Sequence, residues 1–369
     1  MMKNILMIAA LMTLFTAAQA KTMKNDEMTR RIDQVFGAVY NHPDEPGAAV
    51  LILQGNDTLY SRCFGVADME TREPVTFETN FCIASVSKQF SAVALMQLAE
   101  QGLLSLNDPL SKFFPEFKAP FFSDITLHHI MSHTSGIPDA RSRGDRNFVL
   151  YSTDVESVGY MKTLDHLNFQ PGTQYEYINP TFQLIYQIVE RVTGIPFEDY
   201  MRRSVFDKAG MESCQYFEPD REIAHMAHGY ERDETGAWKE YDYGEESFFA
   251  TKADGALYCS INDFVHWERA LRDNLVWTAA SKRLAYLPWI QIPEGANYGY
   301  QPYTSYGYGF FVQDVPGRPT HVYHLGDNGG FTIYAGKIPE RDLIFLFFST
   351  RPDIKRLEMV NRIYEILGM

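Results

Sequence analysis

Strand-forming segments lie at both ends of this chain, with helical segments between them, and this arrangement restricts the fold most. Gly47 to Gln54 and Thr58 to Ala67 read as strands joined by the turn Gly55-Asn56-Asp57, a hairpin signal. The last quarter returns to strands over Tyr306 to Gln313, His321 to His324, Phe331 to Lys337 and Leu343 to Ser349. Between them, Val86 to Gln101 reads as a helix closed by Gly102, and Pro180 to Thr193 as one stopped by Gly194. Met28, Ile32, Val35, Phe36 and Val39 give Lys21 to Tyr40 helical spacing, and Ile354 to Leu367 forms a final helix. A small hairpin is expected around Thr235-Gly236, from His228 to Asp233 and Ala237 to Tyr241. Strands so far apart in the chain imply one sheet assembled from non-contiguous pieces. No repeat or flexible linker separates independent domains, so one two-lobed unit is expected: a sheet lobe of about 21–80 and 290–369, and a mostly helical lobe of about 81–289.

Composition narrows the class of function. With 369 residues, 45% hydrophobic and 14% aromatic, the chain can fill a large core and is neither disordered nor fibrous. A net charge of −14 argues against nucleic acid or an anionic membrane surface as partner. Residues 1–20 form a leader: Lys3 is the basic region, Ile5 to Ala18 the apolar run, and Ala18-Gln19-Ala20 the cleavage signal. The run is short for a bilayer span, no stop-transfer segment follows, and no Cys stands at the cleavage point. An exported protein, periplasmic or secreted, is expected, with no stable membrane span once the leader is removed. Its oligomeric state is left open. Cys63, Cys82, Cys214 and Cys259 have no CxxC spacing and are expected as small core residues more than as bridges.

Ser85-Val86-Ser87-Lys88 carries the sharpest chemistry. Ser and Lys three apart at a helix start share one face, so the amine can reach the hydroxyl. A serine hydroxyl needs a base, and lysine serves only when neutral; burial and the positive helix end both favour that state for Lys88. Free N–H groups at the same helix end can receive an oxyanion. Tyr177-Ile178-Asn179 precedes the Pro180 helix, so a phenol can relay a proton and an amide can orient Lys88 and a substrate carbonyl. His324-Leu325-Gly326 lies on a late strand. There Gly326 would let a substrate backbone approach, and His324 would supply a donor or a positive charge.

Other clusters carry less. His129 and His133 are four apart, with His128 adjacent, but no H-E-x-x-H frame or third ligand makes them a zinc site. Ser135 lacks a G-x-S-x-G frame. Tyr298, Tyr300, Tyr303, Tyr306 and Tyr308 read as strand and loop packing more than as a cleft lining, and the acidic Glu231 to Glu246 as a solvated hairpin.

Taken in order, several of these segments resemble the serine β-lactamase and penicillin-binding-protein superfamily, in its class C-like branch. The resemblance covers nearly the whole chain after the leader. It runs through Phe81 to Phe90, Met131-Ser132-His133-Thr134-Ser135-Gly136-Ile137, Pro171 to Asn179, Ile188 to Gly194, and Gly255-Ala256-Leu257-Tyr258. It implies an α/β (α+β) fold in which an antiparallel sheet from both chain ends, flanked by the first and last helices, stands beside a helical lobe. It implies Ser85 as the acyl-forming nucleophile, with Lys88 and Tyr177 as the proton-handling pair, their division of labour left open. Asn179 would touch substrate, and the oxyanion hole would use the backbone N–H groups of Ser85 and Asp327. No metal or organic cofactor is implied. The partner is a small-molecule or peptide substrate.

One departure bears on that substrate. Where true class C β-lactamases carry Lys-Thr-Gly, this chain has His324-Leu325-Gly326, followed by Asp327. A partly charged imidazole, a missing hydroxyl and an added carboxylate all disfavour a carboxylate-bearing ligand. A peptidase, amidase or esterase is therefore expected ahead of a true β-lactamase. D-amino-acid peptides, cell-wall stems, D-alanyl esters and small acyl esters all fit. The alternatives are a penicillin-binding or cell-wall-peptide-binding protein that acylates with little turnover, or a weak β-lactamase.

Overall fold

The computed structural model describes residues 25–139, 152–218, 220–241, 251–296 and 301–369. Residues 1–20, where a leader is expected, Tyr298, Tyr300 and the part of the acidic segment beyond 241 lie outside them. A first helix, α1 (25–37), precedes the hairpin β1 (Ala48–Gln54) and β2 (Asp57–Phe64), whose turn places Gly55 at φ +59°. Two residues, Gly55 and Asn56, make that turn, and positive φ at the first suits glycine.

The remaining strands of the main sheet come late: β8 (Ile290–Gln291), β9 (Thr304–Tyr306), β10 (Phe311–Gln313), β11 (His321–Asn328), β12 (Phe331–Ile338) and β13 (Leu343–Ser349). Their order is β2-β1-β13-β12-β11-β10-β9-β8, with antiparallel pairing throughout. The first and last parts of the chain therefore meet at β1–β13, as the terminal strands implied. β13 is buried along its whole length because both of its faces are covered. Phe347 packs on Phe36 of α1, and Phe345 on Tyr364 of the last helix α5 (Arg356–Ile366). On the opposite face Phe348 meets Phe81 and Phe264 of the other lobe. Alternation along a strand sends odd and even residues to opposite faces, so a continuous apolar run is what two covered faces require.

In the second lobe a small sheet, β3 (Phe81–Cys82), β7 (Leu257–Cys259) and β4 (Gln215–Tyr216), underlies two long helices, α2 (Lys88–Glu100) and α3 (Asn179–Thr193). Nearly every residue of α2 is buried, which fits a helix that is apolar all round. It ends as expected at Gly102 (φ +71°), where the Leu103 N–H reaches the Leu98 carbonyl and the Gly102 N–H the Ala99 carbonyl. A helix α4 (Ile261–Arg272) and the hairpin β5 (Tyr230–Arg232) and β6 (Trp238–Glu240) complete the labelled elements. All four cysteines carry free thiols; Cys82, Cys214 and Cys259 are buried and Cys63 is half-buried.

The expected single strand Tyr306 to Gln313 is a correction. It is two strands, β9 and β10, folded back through Gly307-Tyr308-Gly309, with the Gly307 N–H donating to the Phe310 carbonyl at 2.8 Å. The reversal is packed against the other lobe. A Cβ at Gly309, whose φ is +76°, would lie 2.8 Å from the Lys88 carbonyl oxygen.

Candidate active site

Ser85 follows β3 at the meeting of the two lobes. The Ile83 N–H donates to the Leu257 carbonyl, Ala84 then turns to φ +47°, and a 3-10 turn over Ala84–Ser87 leads into α2. Left-handed backbone at a non-glycine costs about 1 kcal/mol, and here it falls one residue before Ser85. From Phe81 to Phe90, Ser85 is the one residue that is not fully buried. Lys88, fully buried, donates to Ser85 Oγ at 3.0 Å and to the Asp254 carbonyl at 3.0 Å, with the Asp254 carboxylate 4.0 Å away. Its amine also lies over the rings of Tyr177 (5.0 Å) and Phe182 (5.7 Å). Burial and the nearby carboxylate act in opposite senses on such an amine.

Tyr177 reaches the same place on a separately built wall, two residues before Asn179. The turn at Ser132-His133-Thr134 takes φ +55° at His133. Its backbone holds the 171–179 segment: the Gly172 N–H donates to the Thr134 carbonyl, and the Glu176 N–H to the His133 carbonyl. The Ile178 N–H donates to His133 Nδ1 at 3.2 Å, and the His133 ring lies 4.2 Å from that of Tyr177. Burial, then the charge of Lys88, keeps the His133 imidazole far below its usual pKa, so it stands as a neutral acceptor. Asn179 is the first residue of α3, and its Oδ1 is buried without a hydrogen-bond partner among the described residues. A buried amide oxygen in that state can accept from a bound ligand.

β11 forms the third wall. Its pairing with β10 ends at Tyr323, and beyond that residue it runs beside the Ile83–Ser85 turn. Three expectations change here. What approaches Gly326 closely is this chain's own backbone: a Cβ there would sit 2.4 Å from the Ile83 carbonyl oxygen. His324 is fully enclosed, with Nδ1 2.7 Å from the Leu325 carbonyl and Nε2 3.0 Å from Tyr306 Oη. Nδ1 therefore carries the hydrogen, and Nε2 accepts from the phenol. Burial, then the charge of Lys88, lowers the His324 pKa to about 3, so the expected partial positive charge is absent near neutral pH. Asp327 does not stand as a bare negative charge either. Arg356 of α5 meets both its oxygens, at 3.0 and 2.9 Å, while also donating to the Gly326 and Ile333 carbonyls.

The structure thus gathers Ser85, Lys88, Tyr177 and His324 with Gly326 and Asp327 alongside, and adds groups the sequence reading passed over. Asp254 precedes the quoted Gly255 to Tyr258 motif, and an acid next to glycine in an apolar stretch was its only signal. Tyr306, expected as packing, is buried in the core and also donates to His324. His128 and His129 take protein partners: His128 Nδ1 pairs with Tyr308 Oη at 2.7 Å, and His129 Nδ1 accepts from the Thr126 N–H at 3.1 Å. No group of three possible metal ligands converges among the described residues.

Comparison with known proteins bears on this geometry. The family model described as beta-lactamase matches residues 32–366. The chain is 27% identical to penicillin-binding protein 4* of Bacillus subtilis over 82% of its own length and 68% of that protein's. It is 30% identical to the esterase EstB of Burkholderia gladioli, over 53% of each. Among solved structures, the octameric penicillin-binding protein homologue from Pyrococcus abyssi superposes with a TM-score of 0.79 at 24% identity, covering 91% of this chain and 77% of that one. The D-amino acid amidase of Ochrobactrum anthropi SV3 gives 0.75 at 21%, covering 94% and 98%.

Proposed function

The chain belongs to the beta-lactamase family, and from that premise we propose an exported serine hydrolase that forms an acyl-enzyme at Ser85 with an ester or amide. The observation that carries the reading is the 3.0 Å contact between the buried Lys88 amine and the half-exposed Ser85 hydroxyl. Ser85 Oγ attacks the substrate carbonyl as its proton passes to the Lys88–Tyr177 pair. The developing oxyanion is met by the backbone N–H groups of Ser85 and Asp327. Collapse of the adduct expels the alcohol or amine, which takes the proton. Water then attacks the acyl carbonyl by the reverse proton path and frees Ser85. The residues 1–20 leader supports export to the periplasm or medium.

Charge supports substrates without a carboxylate beside the scissile bond. His324 is held neutral, and Arg356 is occupied by Asp327. The relatives named esterase and D-amino acid amidase are consistent with neutral esters and D-aminoacyl amides. The names of the penicillin-binding relatives support a second reading, acylation with little turnover.

A substrate panel separates these readings. p-Nitrophenyl esters, D-aminoacyl amides, D-Ala-D-Ala peptides and nitrocefin are given to wild type and Ser85→Ala, with intact mass read alongside turnover. Expected are ester or amide turnover, slow nitrocefin hydrolysis, and no adduct on Ser85→Ala. A stable adduct without turnover favours the binder, and full activity of the alanine variant refutes the nucleophile.

A further inference from the structure

Behind Lys88 the structure holds a buried acidic network that the acylation scheme leaves unused. Asp254 is buried, and its Oδ2 accepts from Gln183 Nε2 of α3 at 3.2 Å. Gln183 is fixed in turn by Ser157, whose hydroxyl donates to Gln183 Oε1. Ser157 lies on the short helix Asp154–Gly159. Asp154, on the same helix and also buried, accepts from the backbone N–H groups of Lys252 and Ala253 at 2.6 and 3.0 Å. The segment 252–254 is therefore pinned from both sides, and through its carbonyl and carboxylate Asp254 presents two oxygens to one amine.

We propose that Asp254 is a positioning residue for the Ser85–Lys88 pair, its carboxylate holding the Lys88 amine against Ser85 and governing when that amine can accept a proton. The inference rests on the serine-hydrolase reading above and deepens it.

Several charged or titratable groups among the described residues face these two side chains. Around Lys88 are Ser85, the Tyr177 and Phe182 rings, and the imidazoles of His133 and His324. Both imidazoles are neutral, so Asp254 supplies the counter-charge at the shortest described distance. Around Asp254 are Gln183, Lys88 and Asp154. The Lys252 amine is turned away to Glu198 and Glu218. Burial first, and the Asp254 charge second, raise the Asp154 pKa to about 8. Two buried carboxyls so coupled do not both ionise readily, and Asp154 is the one held protonated near neutral pH. An opposite charge within about 4–6 Å moves a titration by about 1–3 pH units, so removing it frees the neutral amine at lower pH.

The test reads Lys88 directly and does not depend on knowing the substrate. In full-length protein labelled with 13C-lysine, the Lys88 Cε resonance, assigned by its loss in Lys88→Met, is titrated in wild type and in Asp254→Asn. The titration midpoint is expected to fall by about one unit or more in the variant. With an ester that wild type turns over, the acid limb of the kcat/KM profile moves the same way, which a loss of folding would not produce. An unmoved or raised midpoint overturns the proposal. If Asp254→Asn does not fold, Gln183→Leu removes the hydrogen bond that holds the Asp254 carboxylate in place. A smaller shift in the same direction then supports the proposal, and no shift overturns it. Failure of the hydrolase reading would show separately, as absence of any Ser85 adduct while the Lys88 shift persists.

Discussion

At the residue scale, charge along His324–Asp327 is decided by partners that are distant in the chain. Asp327 is cancelled by Arg356, whose guanidinium also caps the Gly326 and Ile333 carbonyls. Asp327→Asn should release part of that positive charge without removing the guanidinium. The expected result is a KM for a carboxylate-bearing D-Ala-D-Ala peptide lowered severalfold, with KM for an uncharged p-nitrophenyl ester unchanged; equal effects on both substrates would sink the idea. Gly326→Ala tests the close approach beside Ser85. Its Cβ would lie 2.4 Å from a backbone oxygen, so β11 or the Ile83–Ser85 turn must move. A displacement near 1 Å costs about 10²-fold in rate, so kcat/KM should fall by that order together with a lower Tm. Ser85 and Lys88 could be found by reading the sequence because their contact is local, three residues apart. Asp254 and Arg356 could not, because what they do depends on contacts made across 166 and 29 residues.

At the element scale, helix ends and the first hairpin were legible because glycine marks them: Gly55, Gly102 and Gly194 all take positive φ where the chain turns. The register β1–β13 was not, since pairing across about 300 residues leaves no local trace beyond two apolar faces. The split of Tyr306 to Gln313 was missed for a related reason. Tyr306, Tyr308 and Phe310 alternate as in a strand, yet Gly309 must fit under the Lys88 carbonyl. Gly309→Ala combines a strained positive φ with a 2.8 Å contact to that backbone oxygen. A loss of about 1–3 kcal/mol is expected, read as a lower denaturant midpoint with an unchanged m-value. Because the turn presses on the first residue of α2, acylation by an ester should slow in the variant even where it is fully folded. A destabilised variant with a wild-type acylation rate would show that the β9–β10 turn does not position Lys88.

At the scale of the whole molecule, folding encloses imidazoles that are charged in the unfolded chain at mildly acidic pH. His321 and His324 are lowered to about 3, and His133 lies far below its usual value, burial being the first cause in each. A buried neutral histidine contributes stability above its unfolded pKa of about 6.5, and loses it as the pH falls toward its folded value. Asp154, raised to about 8, works in the opposite sense between about pH 4 and 8, since the folded state holds a proton there that the unfolded chain releases. Below about pH 6, unfolding takes up protons at His321, His324 and His133, and also at His128, lowered to about 4, and at His129, against one released by Asp154, so uptake exceeds release. Each proton of net uptake corresponds to about 1.4 kcal/mol lost per pH unit of acidification. The pairs His228–Glu240 and His225–Glu73, whose histidines are raised, titrate above this window and leave its slope unchanged. Urea unfolding at several pH values should therefore show stability falling steeply from pH 6 to 4. His321→Gln, which keeps a polar group near Tyr334 and Tyr364 but cannot titrate, should flatten that slope measurably. A slope unchanged in His321→Gln would mean that His321 opens to solvent before the fold yields, and that acid sensitivity resides elsewhere in the sheet lobe.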